Sequence, residues 1–196
     1  MIELPSEPGP DGARPSLMDF GLTVTPPLGG PEQRIERLGN RFRTEVTFPP
    51  QPPEKAGVFI SRLVQAKSLG LRVPYPLLEA QGLPGAPVVD GADQTGTSLA
   101  VRDLTPHYAA KERYWLSIED ADGNHYLHLC TQNVVADATG NAVLSIWPML
   151  RARFADGAKV HLAQPMVQGF PEGDETSWEL PLHHQIALQV TIKEAA

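Results

Sequence analysis

Twenty prolines and 17 glycines are spread through 196 residues, and this punctuation constrains the chain more than any other feature. Proline removes a backbone donor and clashes in a helix interior, and glycine there costs backbone entropy, so long helices have little room. The runs left between these residues are short and rich in Val, Leu and Thr, which suit a pleated, half-buried surface. The chain therefore reads as mainly β.

At this length roughly 70% of the unfolded surface is buried on folding, enough for a core that needs no staples. The single Cys130 has no intramolecular partner, so stability has to come from packing and hydrogen bonds, as suits a reducing cytoplasm. A formal charge of -7 with acids and bases interspersed does not build a phosphate-neutralising surface, and no nucleic-acid partner is expected. No apolar stretch approaches the roughly 20 residues that span a bilayer. The opening MIELPSEPGPDGARPS has neither a basic region nor an apolar segment, so no export signal is expected.

Residues 1–18 hold Pro5, Pro8, Gly9, Pro10, Gly12 and Pro15 and few large apolar side chains; they read as a flexible arm that docks on a neighbour. A short strand is expected over Phe20 to Thr25. From Arg41 to Phe48 the alternation puts Phe42, Thr44, Val46 and Phe48 on one face, a half-buried strand. The one convincing helix spans Pro53 to Leu69, with Pro53 at its first position, Glu54 in the first turn and Gly70 as a left-handed stop. Ala56, Phe59, Ile60, Leu63 and Ala66 form its apolar face, which should pack on a sheet. Leu77 to Gly96 reads as a long loop with one short strand. Strands are then expected at Ser98 to Arg102, Tyr114 to Ile118, His125 to Gln132, Ala142 to Trp147, Lys159 to Leu162, Ser177 to Leu180 and Ile186 to Ile192. Tight turns fall at Asp120 to Asn124 and Asp137 to Asn141, where Gly123 and Gly140 supply positive φ.

Few residues promise chemistry. Asp120-x-Asp122-Gly123-Asn124 faintly resembles a calcium loop, but its twelfth position is Thr131 instead of a bidentate Glu, and a plain hairpin turn explains it. His125 and His128 lie three apart on an expected strand and so point to opposite faces; His183 and His184 have the same problem. A metal site built from His107, His161 and one of these has no clustered motif behind it, and no metal or cofactor is expected. Cys130 reads as a small core residue, and neither a nucleophile elbow nor a phosphate loop is present. Asp90, Asp93, Asp103, Glu119 and Asp120 read as scattered surface acids and not as a glycosidase pair. Trp115, Trp147 and Trp178 suit core or interface packing better than a sugar platform.

Several runs together resemble tail proteins of long-tailed bacteriophages, of the distal tail or baseplate kind. They are Ala86-Pro87-Val88-Val89-Asp90-Gly91-Ala92 with Gly96-Thr97-Ser98-Leu99; Tyr126-Leu127-His128; Asp137-Ala138-Thr139-Gly140; and Leu144-Ser145-Ile146-Trp147-Pro148-Met149-Leu150-Arg151. Gly157, Val160, Leu162 and Pro165 continue the pattern, and so does the strand, double-proline and helix unit from Arg41 to Leu69. The similarity covers most of residues 30–192. Gly57-Val58-Phe59 departs from it, where such proteins often carry Ala and Trp.

The resemblance implies a structural subunit without catalytic residues: a split β-barrel-type tail domain with one principal α-helix and an inserted small β-barrel-like domain. The expected division is a flexible arm at 1–18, a ring-forming β-domain from 19–85 plus 166–196 with the helix at 53–69, and an inserted β-domain at 86–165. It further implies a homo-oligomeric ring, commonly a hexamer, between the tail tube protein and baseplate hub or tail-tip proteins, in a virion assembled in the host bacterial cytoplasm. The alternative is a carbohydrate-binding module contacting host-surface glycans; a cell-wall hydrolase would need two carboxylates converging in a cleft.

Overall fold

A computed structural model describes residues 1–173, Trp178 and residues 185–195. In chain order the strands are β1 (Ile2–Glu3), β2 (Gly12–Met18), β3 (Leu22–Val24), β4 (Gln33–Ile35) and β5 (Arg41–Gln51). The helix α1 (Pro53–Leu69) follows, then β6 (Leu71–Pro74), β7 (Gly85–Val89), β8 (Ser98–Leu104), β9 (Ala109–Ala110) and β10 (Trp115–Glu119). The remainder are β11 (His125–Cys130), β12 (Val134–Val135), β13 (Ala142–Trp147), β14 (Val160–His161), β15 (Met166–Pro171) and β16 (Ile186–Glu194). The fold is mainly β with one helix, as expected. The strand expected over Ser177 to Leu180 lies outside the described residues, Trp178 apart, as do His183 and His184.

Two six-stranded sheets organise the chain. The first runs β1-β6-β15-β16-β5-β2 and the second β14-β10-β11-β13-β8-β7. Val88 bridges Lys159, and the Val89 amide donates to the Ala158 carbonyl at 2.8 Å, so β7 returns beside β14 and the second sheet is a nearly closed barrel.

In β5 the alternating Phe42, Thr44, Val46 and Phe48 are buried, the face expected from period two. Helix α1 has the expected bounds: Pro53 occupies the first turn, and Ala56, Phe59, Leu63 and Ala66 are buried while Ile60 packs at the rim. Phe59 meets Phe48 edge to face at 5.2 Å between ring centres. The helix stop differs in detail. Gly70 has φ 76° but ψ 163°, so it leaves the helix in an extended conformation and not a left-handed helical one, with its amide still bonded to the Ala66 carbonyl.

Strands β6 and β15 were not legible as strands, because LRVP and MVQGFP are short and broken by Pro and Gly. Their partners define them. β15 lies between β6 and β16, and at Gly169 a Cβ would stand 2.0 Å from the Lys193 carbonyl oxygen, so only glycine lets the two backbones meet there.

The flexible arm expected at 1–18 is corrected. Seven residues, Gly12 to Met18, pair antiparallel with β5, and Ile2 and Glu3 pair parallel with β6. Composition argued against a packed element, and β2 is indeed largely exposed; what orders it is the open edge of β5, whose unpaired amides and carbonyls need partners. Ile2 and Leu4 add side-chain contact to the first core.

Strands β10 and β11 form a wall with a core on each side. Leu127, Trp115 and Leu129 face the core of the first sheet, while Leu116, Ile118, Tyr126 and Cys130 face the barrel core with Leu144, Ile146 and Phe154. The turn joining the two strands is closed by Asp120, whose Oδ1 accepts from the Asp122 and Asn124 amides at 2.9 and 2.8 Å. Asp137 closes its own five-residue turn in the same way, through the Thr139 and Asn141 amides.

Two stability measurements follow from this packing. Leu63→Ala, at a site 4% exposed against the first sheet, should lower stability by roughly 2 to 5 kcal/mol in denaturant titration. Deleting residues 2–16 should cost roughly 1 to 3 kcal/mol, because Ile2, Leu4 and the β2 edge pairing are lost; an unchanged midpoint would show that the edge strand is not anchored.

Candidate functional site

Two regions could serve function: an exposed apolar hairpin, and a polar junction where the two sheets meet. In the hairpin, β3 pairs with β4 in the register Leu22 to Ile35, Thr23 to Arg34 and Val24 to Gln33. Leu22, Val24 and Ile35 therefore share one face, and they are exposed at 46, 41 and 49%. Phe20, Leu28 and Leu38 extend the exposed apolar surface. The base is anchored. Asn40 is buried and its Oδ1 accepts from the Phe20 amide at 2.6 Å, and Arg34 bonds both Asp19 and Glu36. Hydrogen bonds from Arg34 and the Gly21 amide hold the Asp19 carboxyl below its usual range. An isolated two-stranded hairpin is marginal in water. A rigid base under an apolar surface suits contact with another protein.

At the junction, Glu194 near the C-terminal end of β16 accepts from the Leu127 amide at 2.7 Å, from the Phe42 amide at 2.9 Å and from Arg151. The two side chains are 1 and 5% exposed. Burial pushes the Glu194 carboxyl up, while Arg151 and the two amides pull against it. Along the same seam Gln168 of β15 accepts from Arg72 and donates to Asn124, Arg72 reaches the Gly123 carbonyl, and the Ser117 hydroxyl accepts from the Met166 amide.

His125 and His128 leave opposite faces of β11. His128 is fully buried with Nδ1 2.8 Å from the Pro148 carbonyl, so Nδ1 carries the proton, and Nε2 has no partner among the described residues. Burial and the Arg151 charge hold it down at about 3. His125 faces the seam, where burial and Arg72 hold it at about 4, and its ring lies 4.9 Å from that of His161. His107 is exposed on the loop after β8 with φ 62° and takes no part.

Cys130 is a buried core residue whose thiol is pushed up to about 12 by burial, an unreactive setting. Trp115 packs against Phe42 and Tyr75 at 4.9 and 4.5 Å between ring centres, and also lines a groove of about 580 Å³ with Tyr75, Leu77 and Leu129. Trp147 is half-buried at the end of β13, and Trp178 is 40% exposed. Of the acids singled out, Asp90 pairs with Arg102, Asp120 closes its turn, Glu119 meets His161, and Asp93 and Asp103 are exposed at positive φ. The grouping of Glu119, His125 and His161 was not legible: its members come from three strands, and only the cross-strand register unites them.

No family model matches this chain, and no curated protein matches it.

Glu194→Ala should cost roughly 3 to 5 kcal/mol in denaturant titration, because Arg151 would be left buried without its counter-charge. The buried histidines carry a pH dependence. Their folded pKa values lie below the unfolded value near 6.5, so below that pH the unfolded chain binds protons that the folded one refuses. Stability is present in full above about pH 6.5 and should fall as pH drops towards 4. His128→Leu should flatten that slope between about pH 6.5 and 5 whatever its effect at neutral pH.

Proposed function

We propose that the chain is a structural subunit of a phage tail, forming a ring at the distal end of the tail tube and joining it to the baseplate or tail tip. The observation that carries this reading is the anchored apolar hairpin of β3 and β4. It exposes Leu22, Val24 and Ile35 together on a fold that has no need of them for its own two cores. Large exposed apolar patches on folded chains mark contact surfaces. A ring of identical subunits requires two different complementary patches on each copy, and a projecting hairpin supplies one of them.

Three further features support it. The mainly β fold, with one helix and a barrel-like second sheet, is the architecture that the resemblance to tail proteins implies. The outer strand β2 carries Arg14 and Pro15 on its exposed edge, which discourages strand-to-strand addition and leaves side-chain contacts to do the joining. The acids singled out in the sequence are occupied in ion pairs and turns or stand apart at exposed positions, Asp93 in a loop and Asp103 on β8, an arrangement that suits a building block. The partners on this reading are further copies of the chain, the tail tube protein and the baseplate hub or tail-tip proteins.

The test is a doubly substituted chain, Leu22→Lys with Ile35→Lys. Both residues are exposed, so stability should change by no more than about 0.5 kcal/mol per site. Incorporation into tails, read by electron microscopy and mass spectrometry of purified virions, should be lost. Normal incorporation of the variant, or absence of the unsubstituted protein from virions, overturns the proposal.

A further inference from the structure

Glu119 on β10 and His125 on β11 stand directly opposite each other, and His161 on β14 stands opposite Ser117, two residues along from Glu119. Positions opposite one another, or displaced by two, share a face of an antiparallel sheet. Three strands therefore deliver a carboxylate and two imidazoles to one spot. One donor atom from each lies within 4.8 Å of the others, and His161 Nε2 is 2.9 Å from Glu119 Oε2. We propose that Glu119, His125 and His161 bind one divalent transition-metal ion of the zinc type.

The geometry needs little adjustment. Donors at roughly 2.0 to 2.2 Å from a tetrahedral ion stand about 3.3 to 3.6 Å apart, so side-chain movements on the order of 1 Å would close the site. Imidazole nitrogens are borderline donors, and two of them beside a single hard carboxylate suit zinc and its neighbours better than calcium or magnesium, which take oxygen ligands. A plain ion pair between His161 and Glu119 would account for two of the three groups. It does not account for His125, which is 7% exposed, turned towards the same spot, and met at Nδ1 by the buried Ser117 hydroxyl at 3.3 Å. A second group that holds one ring nitrogen is what metal-ligating histidines usually have.

Two cations oppose the ion. Lys159 Nζ lies 3.5 Å from Glu119 Oε2, but its side chain is 69% exposed and can swing into water. Arg72 remains nearby, bonded to Gln168 and Gly123. Three ligands and these charges make a weaker site than a closed four-ligand one, with its fourth position left for water or a donor from another copy. A bound ion would tie β10, β11 and β14 together beside the seam that joins the two sheets.

The experiment uses the full chain, freed of metal by a chelator and titrated with zinc sulfate, with bound metal counted after equilibrium dialysis. One equivalent is expected, with a rise in melting temperature. His161→Ala and Glu119→Gln, both at half-exposed positions, should each weaken binding roughly 10-fold or more while the metal-free melting temperature stays close to that of the parent. Cobalt in place of zinc should give visible absorption bands that both variants lose. A double variant, His183→Ala with His184→Ala, should bind as the parent does. No zinc bound in excess metal, binding undiminished in both site variants, or binding lost in the double variant each overturns the proposal. None of these outcomes bears on whether the chain enters tails, which the hairpin variant decides separately.

Discussion

Glu194 is the point on which both sheets depend. One carboxylate takes hydrogen bonds from the amide of Phe42 on β5, from the amide of Leu127 on β11 and from Arg151 after β13. The last described strand is thus tied to the first long strand of its own sheet, to the shared wall and to the chain leaving the barrel. Taking a carboxylate and a guanidinium out of water costs several kcal/mol, so the pair adds little net stability compared with apolar side chains of similar volume. Its effect is on specificity. Because side chains alternate along a strand, a one-residue slip of β16 would turn Glu194 to the opposite face and leave Arg151 buried alone.

The wall of β10 and β11 explains why this junction is polar at some points and apolar at others. A strand between two cores has no solvent face, so Leu116, Ile118, Leu127 and Cys130 are all buried despite alternating direction. Where the wall ends, at the turn of Asp120 to Asn124, backbone groups would be left without partners. Arg72 donates to the Gly123 carbonyl and Gln168 Oε1 accepts from the His125 amide, while Asn124 accepts from the Gln168 side chain and holds it there. The histidine and glutamate cluster belongs to the same end of the wall, so a ligand bound there would act on the joint between the sheets and not on either core.

The hairpin of β3 and β4 follows the opposite logic. Its ion pairs and its buried hydrogen bond are gathered around Asn40, Asp19 and Arg34, with Thr25 bonded to Glu32 nearer the tip, and its apolar residues are turned outwards. In an element that had only to stabilise its own subunit, the apolar face would be turned to the core and the ion pairs to solvent. The division between a rigid, doubly cored body and a projecting apolar element is what the proposed role in a ring requires, since the body must carry load while the hairpin is ordered on a neighbour.

The sequence by itself determined what is local. The bounds of α1, the buried face of β5 and the two Asp-closed turns were all legible, because proline at a helix start, period-two alternation and an aspartate reaching amides two and four residues on act within a few residues. The mainly β character followed from proline and glycine spacing for the same reason. Only the tertiary structure decided the rest. Strands β6 and β15 and the edge strand β2 exist because unsatisfied backbone lies beside them, and composition does not record a neighbour. Glu194 and Arg151 are 43 residues apart, and His161 and Glu119 are 42 apart. What brings each pair together is the order and register of strands, set by all the pairings at once and carried by no single segment of the chain.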